Sequence, residues 1–554
     1  MKKKFVLVLG ICVALCLCAC GKETQELPSN GAETMEDIAQ EETGTGETAS
    51  EQQKEAPTPT ATPTEIPRNP YEAMFDGVVL QKAYKGFDDT NPIMTQRFGA
   101  DPYAMVYGDR VYFYMTADDY EYDSAGNYVE NTYGKIKSIR VVSTVDMVNF
   151  EDHGAIKVGG KDGAATWANN SWAPAAAWKT IDGQDKFFLY FADSARGIGV
   201  LVGDSPVGPF TDPVGGALIN RQTPNCGDIT WLFDPAVLVD DDGTGYLYFG
   251  GGVPAGKEAD PGNARVVKLN EDMVSLAGEP VTIDVPYLFE DSGIHKYNDK
   301  YYYTYCSNWQ VDAEGTAKYG FRSAEIVSME SDSPMGPFTV KETILENPGK
   351  YFGLYGNNHH CVFQFRDQWY ITYHTRLLEK TMGLEYNYRS THVDAFTMQE
   401  DGTIGKIKQT KSGRKQLQPV DAYAENSAAC FAVQGGISTH AADTMASETG
   451  AGTMAVGVMK DGCFIKVTGV DFGETSPAKL TAMIKSAGGD MGAVQIRIDK
   501  PIGDAIGLLA IDHATGTEYE LFTAELTGEV TGVHDVYFVF CGKNYLMKSW
   551  KFEK

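Results

Sequence analysis

Five times between residues 68 and 415 the chain passes through a turn containing Gly, Asp or Asn and enters a strand crowded with aromatic residues. The instances are "YGDRVYFYMT" from Tyr107, "GQDKFFLYFA" from Gly183, "DGTGYLYFGG" from Asp242, "YNDKYYYTYCS" from Tyr297 and "FRDQWYITYHT" from Phe365. They recur at intervals of roughly 55 to 75 residues. Turn chemistry followed by β-branched and aromatic residues marks a hairpin, and helical periodicity is absent over most of this span. Five similar sheet-forming units at one long period predict a five-bladed β-propeller, one sheet per blade around an axis. A second repeat, "GDSPVGPFTD" at Gly203–Asp212 and "ESDSPMGPFTV" at Glu330–Val340, falls two units apart and agrees with this. A propeller gathers residues distant in sequence around a central pocket.

From about residue 416 the pattern changes to short alternating strands with Gly-rich turns, such as "AVQIRIDK" and "VYFVFCGK". This predicts a separate β-sandwich of jelly-roll type over 416–554. The whole chain of 554 residues is too long for one core and reads as all-β in its folded part.

The acidic stretch "WLFDPAVLVDDDGTGYLYFGG" poses a choice between a metal loop, a catalytic site and a turn. An EF-hand loop places ligands at alternate positions, and Leu238 stands where one would fall. Asp240, Asp241 and Asp242 therefore read as a solvated hairpin turn, and Asp234 stands apart from them before Pro235. Two other carboxylates sit at strand edges beside Gly, Pro or Ser: Asp101 in "FGADPYAMVYGD" and Glu290 in "LFEDSGIHKYNDKYY". Each of the three precedes an aromatic hairpin, so each is expected at an equivalent place in a different blade, aimed at one pocket. A lone strand-edge Asp is ordinarily a cap or turn residue; three in matching places of a repeat point to a site.

Before residue 68 the chain is of another kind. "MKKK" followed by "FVLVLGICVALCLCAC" is a short apolar run behind positive charge, and it ends in "LCAC". This resembles a bacterial lipoprotein signal, residues 1–19, with lipid attached to Cys20. Residues 20–67 hold little to bury and are rich in Glu, Thr, Pro and Ser, as in a disordered acidic tether. These features predict an extracellular protein joined to the membrane only by its lipid. A net charge of −28 argues against nucleic acid as a partner. Of ten cysteines four lie in the leader; the other six include no C-x-x-C and read as free thiols.

Taken together, the segments bearing Asp101, Asp234 and Glu290, with "SWAPAAAW" at Ser171–Trp178, resemble glycoside hydrolase family 43 across about 68–415. The resemblance implies a five-bladed propeller that hydrolyses glycosides with inversion. It makes Asp101 the base that activates water, Glu290 the acid that protonates the leaving oxygen, and Asp234 the carboxylate that orients the acid and raises its pKa. Inversion sets base and acid about 6.5–9.5 Å apart, with room for that water. It also places a histidine of "YGNNHHCVFQF" at the propeller centre, near calcium, another cation or a water cluster; His359 fits that place better than His360, and a hydrogen-bonded core histidine is the alternative. Trp172, Trp309 and Asn170 are candidates for sugar contact, as are Trp167 and, through a hydroxyl, Arg376. Within the family, "ENTYGKI", "GNNHH" and the C-terminal sandwich resemble the arabinoxylan arabinofuranohydrolases, which remove α-L-arabinofuranosyl groups from xylan. A β-xylosidase or an enzyme with both activities is the alternative within the family, and a non-catalytic glycan-binding lipoprotein the alternative outside it.

The sandwich resembles carbohydrate-binding module family 6 in framework but not in ligands. Ser427 and Ala429 stand where the family's calcium-holding Glu-x-Glu pair is expected, Val458 replaces a cleft tyrosine, and "MKSW" at Met547–Trp550 shortens the closing motif. Hydroxyl and methyl groups are poor substitutes for carboxylates at calcium. No cofactor is expected in this domain, and its usual cleft is expected to bind sugar weakly.

Overall fold

The computed structural model describes residues 69–488 and 491–554. The leader, the lipidation candidate Cys20 and the tether lie outside them. The described part of the chain begins with five successive antiparallel sheets. Their innermost strands are Ala100–Tyr107, Trp172–Ile181, Ala236–Val239, Leu288–Tyr297 and His360–Phe365, and each is followed outward by its neighbours in chain order. Each inner strand packs on the next, and the fifth packs back on the first, so the five sheets close into a ring.

The predicted hairpins explain the sheets. Two-residue turns suit strand twist when both central residues have positive φ. Asp182 and Gly183 have φ 52° and 77°, and Asn298 and Asp299 have 49° and 60°. The acidic turn is a turn, closed by Asp240 N–H donating to Thr244 O at 2.9 Å, and Lys296 Nζ bonds Asp240 and Asp241 at 2.6 and 2.7 Å.

The aromatic content does more than fill space. A buried phenol needs an acceptor, and here the acceptor lies on the following sheet. Tyr114 OH donates to Pro206 O (2.6 Å), Tyr190 OH to Met273 O (2.6 Å) and Tyr248 OH to Pro334 O (2.7 Å). Pro206 and Pro334 are the prolines of the two "SPxGPF" repeats, so that motif is the receiving half of a bond between sheets.

The C-terminal region is a two-sheet sandwich. One sheet is built on Cys463–Asp471 and Val533–Cys541, the other on Tyr545–Glu553 and Lys479–Ser486. Phe538, Trp550 and Phe552 pack between them. The sandwich has a core of its own and is also joined to the ring by a seam. Its segment Cys430–Phe431 pairs with Phe150–Glu151 and becomes the outermost strand of the first sheet. Val148 packs with Ala432, Val433 and Phe464, and Asn149 exchanges two hydrogen bonds of 2.9 Å with the backbone of Thr468. A two-residue strand carries no readable alternation, so this seam was not legible in the sequence.

Ending the chain at residue 415 would bare this apolar cluster and the edge of the first sheet. The 69–415 fragment is expected to be insoluble or to melt roughly 10 °C below the full chain. Equal melting temperatures by calorimetry would refute this.

The six cysteines among the described residues are free thiols, five buried and Cys430 half-buried.

Candidate active site

The site is built by a defect repeated at the start of the inner strands. Register breaks at Ala100/Tyr103, Trp172/Ala175 and Glu290/Gly293. At these breaks Asp101, Ala173 and Asp291 have φ of 47°, 39° and 71°, and Asp234, before the third inner strand, has 50°. Such values are uncommon for residues with a Cβ and mark bulges that re-aim side chains. Asp101, Ala173, Asp234 and Asp291 are therefore structural equivalents. Glu290 is not; it stands one residue earlier, in the place of Trp172 and Phe233. The expected three-fold match is two equivalent aspartates plus an offset glutamate.

Asp101, Asp234 and Glu290 nevertheless open into one cavity of about 290 Å³, together with Trp172, Trp309 and His359. Three further lining residues were not singled out from the sequence: Tyr133, Asn357 and Arg389. Tyr133 and Asn357 belong to the "ENTYGKI" and "GNNHH" stretches, which were informative as motifs; Arg389 carried no signal.

The carboxylates differ in their surroundings. Asp101 Oδ1 accepts from Arg389 Nη1 at 2.8 Å, and its Oδ2 accepts from Thr116 Oγ1 at 2.7 Å. Burial opposes its ionisation, but Arg389 and the neighbouring histidines outweigh burial and hold this carboxyl well below the usual range. Arg389 is itself fixed by Asp118, through Nε and Nη2 at 2.9 Å each, and lies over the Tyr133 ring. His374 braces this carboxylate: its Nδ1 lies 3.0 Å from the Asp101 backbone N and 3.2 Å from Oδ1, and its Nε2 lies 2.9 Å from Asn357 O.

Glu290 lies in the opposite regime. Its Oε1 is buried without a hydrogen-bond partner. Burial first, then the charges of Asp101 and Asp291, push its pKa up to about 8 against a weaker opposing bond from Asn357. Asp234 is also raised, by burial and by Glu290, and its Oδ2 accepts the Asp291 N–H at 3.0 Å. The repulsion between Glu290 and Asp234 acts on both carboxyls, so Asp234 adds to the lift that burial, Asp101 and Asp291 give Glu290.

Asp291, fully buried, is bracketed by histidines. His360 Nδ1 lies 2.5 Å from its Oδ2 and His359 Nε2 lies 3.1 Å from its Oδ1. The other nitrogen of His359 faces Asp101 at 3.5 Å, and burial lowers the pKa of this ring. These donors do not fit calcium, which takes six to eight oxygens. Among the described residues no three His, Cys, Asp or Glu side chains are grouped to hold a metal.

Three candidates do not line the cavity: Asn170, Arg376 and Trp167. Asn170 is buried and donates to Gly134 O at 3.0 Å, and Trp172 Nε1 donates to Tyr133 O at 2.9 Å. Both pin the loop that presents Tyr133, so Asn170 acts on the wall from behind. Arg376 points its Nε to Glu379 and its Nη1 to Tyr355 O, the latter at 3.0 Å, and supports a loop. Trp167, which bonds Asp212, is likewise outside the cavity lining.

The arrangement offers an ionised carboxylate and a protonated one facing a common cavity with aromatic walls, the requirement of acid–base hydrolysis of a sugar. Comparison with known proteins agrees. The carbohydrate binding module (family 6) model matches residues 427–554. An arabinoxylan arabinofuranohydrolase of Paenibacillus polymyxa is 44% identical over 479 residues, covering 84% of this chain and 74% of that protein. One from Bacillus subtilis (strain 168) is 43% identical, covering 83% and 90%. The crystal structure of a glycoside hydrolase family 43 arabinoxylan arabinofuranohydrolase from Bacillus subtilis in complex with cellotetraose superposes with a TM-score of 0.80 at 41% identity, covering 86% of this chain and 99% of that one. With the family model itself matching residues 89–404, the chain is a glycosidase that belongs to the glycosyl hydrolases family 43.

Proposed function

We propose that this protein removes α-L-arabinofuranosyl side groups from arabinoxylan by an inverting, single-displacement reaction. Asp101, ionised beside Arg389, takes a proton from water as the water oxygen bonds to the anomeric carbon. The bond from that carbon to the xylose oxygen breaks, and Glu290 gives its proton to the departing oxygen. Asp234 stays close to both and keeps the Glu290–Asp291 turn in place through the Asp291 N–H. The ring of five sheets is read as five propeller blades, with the cavity at their inner strand starts. The observation that carries the reaction class is the divergence of Asp101 and Glu290, one held charged and the other held protonated. The substrate rests on the likeness to the two arabinofuranohydrolases.

The test is the sugar released from wheat arabinoxylan by the chain without its leader. Free arabinose, with no free xylose, is expected. Xylose as the main product would make the enzyme a β-xylosidase, and no sugar from polymer or aryl glycosides would favour a glycan-binding lipoprotein. We place the enzyme outside the cell, lipid-anchored through Cys20; metabolic labelling with palmitate, lost in Cys20→Ala, is the expected result.

The sandwich is proposed to serve mainly as a packing partner. Val458 and Trp550 are buried in its core, and the Ser427 hydroxyl accepts the Ala429 N–H.

A further inference from the structure

The proposed chemistry fixes the side of the cavity on which the polymer must lie. The acid protonates the oxygen that stays with xylan, so the xylan chain crosses the protein on the Glu290 side. Asn357 lines the same cavity as Glu290. Two positions before it stands Tyr355, whose Cα is within about 7 Å of that of Asn357 by chain length alone.

Tyr355 is 56% exposed, yet it is held firmly. A Cβ at Gly349 would come within 2.5 Å of Tyr355 Cγ and 2.7 Å of Cδ1, so the ring lies against glycine backbone where any other residue would displace it. Arg376 Nη1 bonds Tyr355 O at 3.0 Å, and Asn347 Nδ2 bonds Gly356 O at 3.0 Å. The next residues are tied to the segment bearing Trp309: Asn358 Nδ2 donates to Ala324 O (3.1 Å), and Ala324 N–H donates to Asn308 O (3.2 Å). Trp309, at the cavity, and Tyr355, beyond it, thus sit on two cross-braced segments. The other exposed tyrosine nearby, Tyr351, has its hydroxyl engaged by Glu346. Tyr355, braced at its base by Gly349 and more than half exposed, has the form of a platform for a sugar ring.

Resting on the arabinoxylan reading above, we propose that Tyr355 stacks against a xylose unit of the main chain, next to the one that carries the arabinose, and so sets the preference for polymer over small substrates. Arg376 then acts as a positioning residue for this platform.

The test compares Tyr355→Ala and Tyr355→Phe in the otherwise intact protein on arabinoxylan and on an aryl α-L-arabinofuranoside, which lacks a main chain. For Tyr355→Ala the ratio of kcat/KM on polymer to that on the aryl substrate is expected to fall about tenfold, through KM rather than kcat. Tyr355→Phe keeps the ring and is expected to keep the ratio. An unchanged ratio in Tyr355→Ala, whether both activities persist or both fall together, would overturn the platform. Release of no arabinose by the unmodified enzyme would overturn the substrate reading, and the platform with it.

Discussion

Replacing Glu290 by Gln is expected to lower kcat on arabinoxylan by about 10³-fold, within the usual range for loss of a general acid. The glutamine keeps the shape of the side chain and cannot give up a proton. The loss is expected to depend on the leaving group. Xylan departs as an alcohol and needs the proton, whereas a nitrophenolate departs without one, so an aryl arabinofuranoside should lose at least tenfold less. The pH profile gives a second readout. Glu290 is protonated below about 8, so kcat/KM of the unmodified enzyme should fall as pH rises past that value, and Glu290→Gln should lack this limb. Equal losses on both substrates with an unaltered pH profile would take the acid role away from Glu290.

The second large effect is expected at Arg389. Its guanidinium neutralises two carboxylates, Asp101 and Asp118, that have almost no exposure to water. Arg389→Met would leave both uncompensated, and removing one partner of a buried charge set costs about 3–5 kcal/mol. The catalytic consequence has a definite sign. Without Arg389, burial acts on Asp101 unopposed by its strongest partner and its pKa rises, so the base is protonated at higher pH and the acidic limb of kcat/KM moves up. Arg389→Lys should restore part of the stability but little of the profile, because an ammonium cannot span Asp118 and Asp101 with a planar fork. A Met variant whose acidic limb does not move, measured by steady-state kinetics on folded protein, would refute the assignment.

Asp101 stood out in the sequence and Arg389 did not, for a physical reason. Asp101 and Asp234 each precede a proline, and the pair of residues marks the bulge that turns a carboxylate inward. At the fourth sheet the proline is replaced by Ser292, so nothing in the sequence marks Asp291 rather than Glu290 as the residue at the bulge. Arg389 lies 288 residues from Asp101 and arrives from the edge strand of the last sheet, so only ring closure brings them together. Arg376 was singled out for its charge, while its i,i+3 spacing from Glu379 pointed to a local ion pair. The hairpins were legible because turn type and aromatic content agree over short range, and the tyrosine bonds between sheets were hidden because their acceptors are carbonyls, which no side chain announces.

The strand Cys430–Phe431 has a consequence for the history of this chain. A module kept for sugar binding alone would be lost once that binding weakened. Here that strand sews shut the outer margin of the sheet whose inner margin carries the base. Selection on the hydrolase alone then suffices to retain the appendage, and its surface is left free to drift while its seam is not.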